Sequence, residues 1–167
     1  MMPKHAATGL SHGHGELPEH AETAVKRALA KAGLARANAV LLFLTPEYAA
    51  NPEPALRAAA RAGGCLQVVG CTGAGILTEE EWLLDSPGAA AMVLGGNIHL
   101  NISPQGNLSD EDMVLSLCTP AGLTADWLDI PARRFGAVSG DLFGRGPFKV
   151  WSGARVAESE QVDAIMS

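Results

Sequence analysis

The residues best able to do chemistry follow a short apolar run in the middle of the chain. Cys71 supplies a thiol and Thr72 a hydroxyl, and Gly73 and Gly75 come directly after them. The preceding pair Val68-Val69 is β-branched and predicts the end of a buried strand. Glycine lets a loop backbone turn its N–H groups toward an anion or a carbonyl oxygen. The stretch therefore predicts either a ligand loop at the carboxyl end of a strand or a glycine-rich turn without a ligand.

A second cluster of the same kind lies later in the chain. Ser139, Gly140 and Asp141 follow the apolar run 135–138. Both clusters offer a hydroxyl and backbone N–H groups that are able to bind a carboxylate, and Asp141 is able to pair with an ammonium group. We therefore predict that the two loops face one shared cleft, which binds a small zwitterion or polar metabolite.

Cys71 is also the candidate nucleophile of an alternative hypothesis, a cysteine-dependent enzyme. A reactive thiol needs a base or a positive environment, and no histidine stands near Cys71 in the sequence. We therefore predict a protein without catalytic residues. The other cysteines are Cys65 and Cys118, and the odd number without a CxxC spacing argues against a disulfide framework or a zinc ribbon.

Histidines raise the separate possibility of a metal or haem site. His12 and His14 lie in a glycine-containing segment near the amino end, without the carboxylate or thiol partners of a firm metal site. His99 is a candidate haem ligand, although a histidine beside Leu100 and Ile102 is more often packed or exposed. We predict no metal and no cofactor, with haem as the alternative.

Composition limits the class of protein. The chain has 167 residues, 47% of them apolar, a net charge of -6 and a pI near 5.3. This apolar fraction supports a folded core. The sequence has no basic patch for nucleic acid and no apolar segment long enough to span a bilayer. No signal peptide is evident, and isolated thiols suit a reducing compartment, so we predict a cytoplasmic protein.

Apolar runs of strand length alternate with alanine-rich segments of helical periodicity. Helices are predicted near 18–33 and 54–62, and strands near 39–45, 88–94 and 99–103. The glycine-rich residues 95–97 suggest a hairpin between the last two strands. The pattern predicts an α/β fold with mixed β-sheets and flanking helices.

A weak internal repeat divides this fold. Residues 40–46 resemble residues 114–120, and both segments end in Thr-Pro. We predict one domain over 1–167 that contains two strand-helix-strand-strand copies, at about 36–103 and about 111–160. In this scheme the strand at 89–94 corresponds to the run 148–156, and residues 104–110 link the copies.

Several of these segments together resemble the amino-terminal part of the FIST sensory domain. The distinctive match is Val-Gly-Cys-Thr-Gly-Ala-Gly at 69–75, and the apolar strand with Thr-Pro at 40–46 agrees with it. Further matches lie at 7–11, 138–141 and 151–156.

The resemblance implies a prokaryotic signal-input module that binds a small ligand, often proposed to be an amino acid. Some FIST-like proteins resemble haem-based nitric oxide sensors, which is the haem alternative for this chain. Full family members carry a second, carboxyl-terminal part, and we expect a chain that acts without this part and without an output domain. We therefore expect a signalling partner protein in trans, and the chain is also a candidate homo-oligomer.

Overall fold

The computed structural model describes residues 5–102 and 107–167. Its helices are α1 (Pro18–Ala32), α2 (Glu53–Gly63) and α3 (Ala125–Leu128), with 3₁₀ helices at Pro46–Ala50 and Pro120–Gly122. Its strands are β1 (Ala6–His12), β2 (Ala39–Leu44), β3 (Val68–Thr72), β4 (Ile76–Leu77), β5 (Trp82–Leu83), β6 (Gly88–Leu94), β7 (Leu100–Ile102), β8 (Met113–Cys118), β9 (Arg133–Val138), β10 (Val150–Ser152), β11 (Arg155–Val156) and β12 (Gln161–Met166). The predicted α/β class with mixed sheets is confirmed.

The two long helices form where the sequence predicts them. Pro18 stands in the first turn of α1, where its missing N–H has no intrahelical partner to lose. Gly33 and Gly64 cap α1 and α2 in the left-handed conformation, with φ of 71° and 65°, which glycine adopts without a steric penalty.

The strands form two larger sheets and a small hairpin. Sheet 1 has the order β1-β6-β2-β3-β10-β11, and sheet 2 has the order β7-β12-β8-β9. The hairpin consists of β4 and β5. In sheet 1, β2 is parallel to β3 and antiparallel to β6; in sheet 2, β8 is parallel to β9 and antiparallel to β12.

The first four strands of sheet 1 correspond to the four strands of sheet 2 in order, direction and register. Leu42 stands opposite Gly70 in the parallel pair of sheet 1, and Ser116 stands opposite Gly136 in that of sheet 2. Superposing residues 40–46 on residues 114–120 matches these two pairs. The structure thus repeats one four-strand arrangement, which extends the similarity seen in the sequence.

Two strand assignments from the sequence are wrong. The counterpart of β6 is β12, beyond the predicted second copy, whereas residues 150–156 form β10 and β11 and join sheet 1. The segments around 95–97 do not form a hairpin, because both edges of β6 are occupied by β1 and β2, and β7 pairs with β12 in the other sheet. Ser103 and three of the seven predicted linker residues, 104–106, lie outside the described residues.

Sheet 1 is covered on both faces. Helices α1 and α2 pack on one face through small side chains such as Ala24, Ala28 and Ala59. The other face meets sheet 2 through an apolar layer that includes Leu41, Val69, Leu94, Leu115, Leu117, Val150, Val162 and Ala164. Continuous apolar runs such as 39–44 suit a sheet that is buried on both faces.

The missing side chain of Gly70 leaves room for the Leu42 carbonyl of β2 and for the Trp151 indole of β10. A Cβ at Gly70 would lie 1.7 Å from the Leu42 carbonyl oxygen and 2.8 Å from Nε1 of Trp151. Trp151 is fully buried, stands opposite Gly70, and donates its indole N–H to that same carbonyl at 3.2 Å. Gly136 is equivalent, because a Cβ there would lie 1.7 Å from the Ser116 carbonyl oxygen.

We predict that Gly70→Ala and Gly136→Ala each lower the free energy of unfolding by about 2 to 4 kcal/mol, because the new Cβ collides with a backbone carbonyl. Urea denaturation followed by circular dichroism measures the change. Gly140→Ala is the matched control, since a Cβ there meets no atom within 4 Å. A neutral Gly136→Ala variant would contradict the structural equivalence of the two glycines.

Candidate ligand cleft between the two sheets

A cleft of about 470 Å³ opens between the sheets beside the carboxyl ends of β3 and β9. Phe43 and Cys71 of sheet 1, the start of the β4–β5 hairpin and the end of β9 line it. The full lining is Phe43, Cys71, Thr72, Gly73, Ala74, Gly75, Ile76, Leu77, Ala137, Val138 and Gly140. Five of the seven predicted ligand residues are in this set, namely Cys71, Thr72, Gly73, Gly75 and Gly140.

The two predicted loops meet at one end of this cleft. Thr72 ends β3, Ser139 follows β9, and their hydroxyl oxygens lie 2.6 Å apart in a hydrogen bond. Both residues are about 1% exposed. Ser139 therefore lies behind the cleft surface, where it fixes Thr72. The loops are adjacent, as expected, and ligand binding by them stays a prediction.

Four of the backbone donors in these two loops are already used by the protein. Thr72 N–H donates to the Lys149 carbonyl at 3.1 Å, and Gly73 N–H donates to the Leu44 carbonyl at 3.0 Å. On the other loop, Ser139 N–H donates to Cys118 at 2.7 Å, and Gly140 N–H donates to the Thr72 carbonyl at 3.2 Å.

The next two residues of the first loop, Ala74 and Gly75, supply backbone donors for a ligand. Ala74 and Gly75 line the cleft, and within residues 5–102 and 107–167 their N–H groups show no hydrogen-bond partner. These two groups are the donors that the cleft is able to offer an anionic ligand.

Asp141 stabilises its own loop. Its carboxylate accepts hydrogen bonds from the backbone N–H groups of Phe143, Gly144, Arg145 and Gly146. Desolvation acts to raise the pKa of Asp141, but these four donors together hold it below the usual value. The predicted ion pair with an ammonium group gains no support from this position.

The Cys71 thiol is poorly suited to nucleophilic attack. The residue is 2% exposed, and burial, with a smaller contribution from the Cys118 thiol, raises the pKa of Cys71 to about 12. The thiolate is therefore scarce near neutral pH. The side chain instead packs in the apolar layer between the sheets.

We predict that Cys71 and Cys118 resist iodoacetamide near neutral pH in the folded protein and react fully only after unfolding. Both are buried, whereas Cys65 is partly exposed and labels first, although burial raises its pKa as well. Mass spectrometry of native and urea-unfolded samples measures each thiol. Fast, selective labelling of native Cys71 would revive the cysteine-enzyme hypothesis.

Polar contacts attach the hairpin wall of the cleft to sheet 1 and α1. Thr8 donates its hydroxyl proton to the carboxylate of Glu79. Lys31 reaches Glu79 at 3.0 Å and Glu80 at 2.8 Å. The hydrogen bond from Thr8, aided by Lys31, lowers the pKa of Glu79 to about 2. Glu79 and Glu80, in the turn between β4 and β5, thus attach the hairpin to the rest of the fold.

A buried polar network, which the sequence analysis missed, holds the β9 wall. Asp163 on β12 accepts hydrogen bonds from the Trp127 indole at 2.8 Å, from the Ser116 hydroxyl at 2.7 Å and from Arg134 at 2.6 Å. The Arg134 guanidinium also lies 5.0 Å from the centre of the Trp127 ring. The network joins β8, β9, β12 and α3. Its one visible signal was an acid within the apolar alternation of 161–166.

We predict that Asp163→Ala lowers the free energy of unfolding by about 3 to 5 kcal/mol, because it leaves Arg134 charged and only 12% exposed without its partner. A double-mutant cycle with Arg134→Met, measured by urea denaturation, gives the coupling energy. Glu22→Ala is the control, since it breaks the exposed pair with Lys26 and is expected to change stability by less than about 1 kcal/mol. Additive effects of the Asp163 and Arg134 variants would contradict the network.

The candidate histidines of the metal and haem alternatives, His12, His14 and His99, are exposed. The His99 side chain, just before β7, is exposed rather than enclosed by apolar walls as a haem ligand would be. His12 lies near Ser86, at 3.3 Å. In the part of the chain that the structure describes, no three His, Cys, Asp or Glu side chains gather closely enough to hold a metal ion.

Comparison with known families decides the relationship. The model of the FIST N domain matches residues 38–145, about two thirds of the chain. The chain belongs to the FIST family. The FIST domain is a sensory domain of signal transduction. Every residue that lines the cleft falls inside the matched region, whereas β10, β12 and Asp163 follow it.

No curated protein matches the sequence. Among the described helices, none is long and apolar enough to cross a membrane.

Proposed function

We propose that this FIST domain is a sensory module that binds a small metabolite in the cleft between its two sheets. The observation that supports the proposal is the meeting of β3 and β9, equivalent strands of the two sheets, beside an open cleft at their carboxyl ends. Small ligands commonly bind in such crevices, where loops converge at strand ends. The module acts without catalysis, in keeping with the buried Cys71 thiol.

The walls of the cleft favour an apolar ligand that carries one anionic group. Phe43, Ile76, Leu77, Ala137 and Val138 supply most of the side-chain surface. The N–H groups of Ala74 and Gly75 supply donors for a carboxylate. Among the amino acids proposed from the family resemblance, those with apolar side chains fit this combination best.

We further propose that the ligand transmits a signal by joining the hairpin to β9. A molecule between these walls contacts both sheets and therefore favours one arrangement of the hairpin over others. A partner protein, in the cytoplasm, reads that arrangement. The three free thiols suit a reducing compartment.

We predict that an apolar amino acid such as leucine raises the melting temperature of the protein, whereas lysine and leucine methyl ester do not. A ligand that binds only the folded state adds about 2.7 kcal/mol at a hundredfold excess over Kd. For a domain of this size that corresponds to a shift of roughly 5 to 10 °C. A thermal-shift screen over amino acids and small carboxylates measures it.

Variants of the cleft test whether any shift arises there. Gly73→Val places a side chain at the cleft, where the new Cβ lies 3.3 Å from the Gly75 carbonyl oxygen, and it should abolish the shift. Ala35→Val is the control, since Ala35 is exposed and lies outside the cleft. A full ligand shift in folded Gly73→Val, or no shift from any compound in the screen, would contradict the proposed site.

A further inference from the structure

Strand β9 is an edge of sheet 2 with a row of unused backbone groups. Arg133 N–H donates to the Asp112 carbonyl, and Ser139 N–H donates to the Cys118 carbonyl, so the odd-numbered residues bond toward β8. The N–H and C=O groups of Arg134, Gly136 and Val138 therefore face away from β8. Within the described ranges 5–102 and 107–167, no strand pairs with that side of β9.

The equivalent side of sheet 1, the outer side of β3, is already paired with another strand. Strand β3 corresponds to β9, and its outer side carries β10 in antiparallel pairing. Thr72 N–H donates to Lys149, and Gly70 stands opposite Trp151. Gly70 corresponds to Gly136, so a glycine at the centre of this edge is compatible with an antiparallel neighbour.

We propose that β9 of a second copy of this chain occupies the open edge, antiparallel, with the two-fold axis through Gly136. The outward backbone groups of Arg134 then bond those of Val138 in the other copy, and the two Gly136 residues face each other. In this register all three residues of β9 whose backbone groups point outward stand opposite the same three residues of the other copy. It joins the two four-stranded sheets into one continuous sheet.

The side chains of β9 complement one another in this register. Phe135 of each copy stands opposite Ala137 of the other, so a large side chain meets a small one on the face that β9 turns toward sheet 1. On the other face Arg134 meets Val138, and no like charges are opposite each other. The pairing covers Phe135 and Val138, which are 41% and 45% exposed in the single chain.

Strand β9 also lacks the features that protect edge strands from pairing. Its sequence, Arg-Arg-Phe-Gly-Ala-Val, contains no proline and no lysine, and its two charged residues both lie at the amino end. The adjacent Met113 adds exposed apolar surface beside Phe135. An open edge of this kind is suited to a matching strand rather than to solvent.

The dimer would complete the cleft, a consequence that rests on the proposed function. Ala137 lines the cleft, and Phe135 of the second copy would lie opposite it. Each copy thereby contributes an aromatic ring to the site of the other. Ligand binding and dimerisation would then strengthen each other, because each is favoured by the same arrangement of β9.

Sedimentation velocity without ligand tests the dimer independently of the proposed function. We expect a species of twice the 17.3 kDa of one chain. Val138→Pro removes two outward N–H groups per dimer but no bond to β8, and should weaken dimerisation by about tenfold or more. Val138→Thr is the matched control, since it keeps the N–H, and should dimerise like the wild type. A monomeric wild type, or a Val138→Pro dimer of unchanged affinity, overturns the proposal.

Disulfide cross-linking tests the register. This test does not use Val138→Pro, so it remains valid if that variant fails to fold. Mixed Phe135→Cys and Ala137→Cys chains should form an intermolecular disulfide on mild oxidation, because non-hydrogen-bonded antiparallel pairs have close Cβ atoms. Phe135→Cys alone should remain largely uncross-linked. Failure of the mixed chains to cross-link, or efficient cross-linking of Phe135→Cys alone, overturns the register centred on Gly136.

Discussion

Packing of the two sheets against each other through a thin apolar layer is the constraint on which the rest of this structure depends. Leu41 and Val69 of sheet 1 meet Leu115, Leu117 and Val162 of sheet 2 in that layer. Fully burying side chains of this size contributes about 1.5 to 3 kcal/mol each, and the layer contains several of them. The hydroxyls of Thr72 and Ser139 join the sheets at one end, and the cleft lies beside them.

The two sheets have the same strand arrangement, but different elements cover their outer faces. Sheet 1 is covered by two long helices rich in alanine, whose small side chains allow close packing. In the described part of sheet 2, the short helix α3 takes the place of α2, and Trp127 is its buried residue. The ion pair of Arg134 with Asp163 lies beneath it, and hydrogen bonds to both oxygens of Asp163 offset the cost of burying that carboxylate.

Local sequence patterns predicted where most helices and strands lie, but they did not predict which strands pair with each other. The helical periodicity and glycine stop of α1 predicted its bounds almost to the residue, and the apolar run of β2 did the same. The choice of β10 over β12 as the counterpart of β6 failed because Asp163 interrupts the apolar pattern of β12, and its partner Arg134 is distant in sequence. The loops at Thr72 and Ser139 were correctly expected to be near each other. Which of their N–H groups stay free depends on β2, β8 and β10, and no local pattern shows that.

The place of β12 in sheet 2 has a consequence for the order of folding during synthesis. Strand β12 is the last in the sequence, yet it lies between β7 and β8 in the interior of its sheet. The four equivalent strands of sheet 1 are complete by Leu94, with both of their covering helices already made. Since domains fold as their parts emerge from the ribosome, the first unit is able to assemble while the second is still being translated. Strand β8 must wait for a neighbour that arrives about 40 residues later, so the apolar face of sheet 1 is the surface that needs protection in the nascent chain.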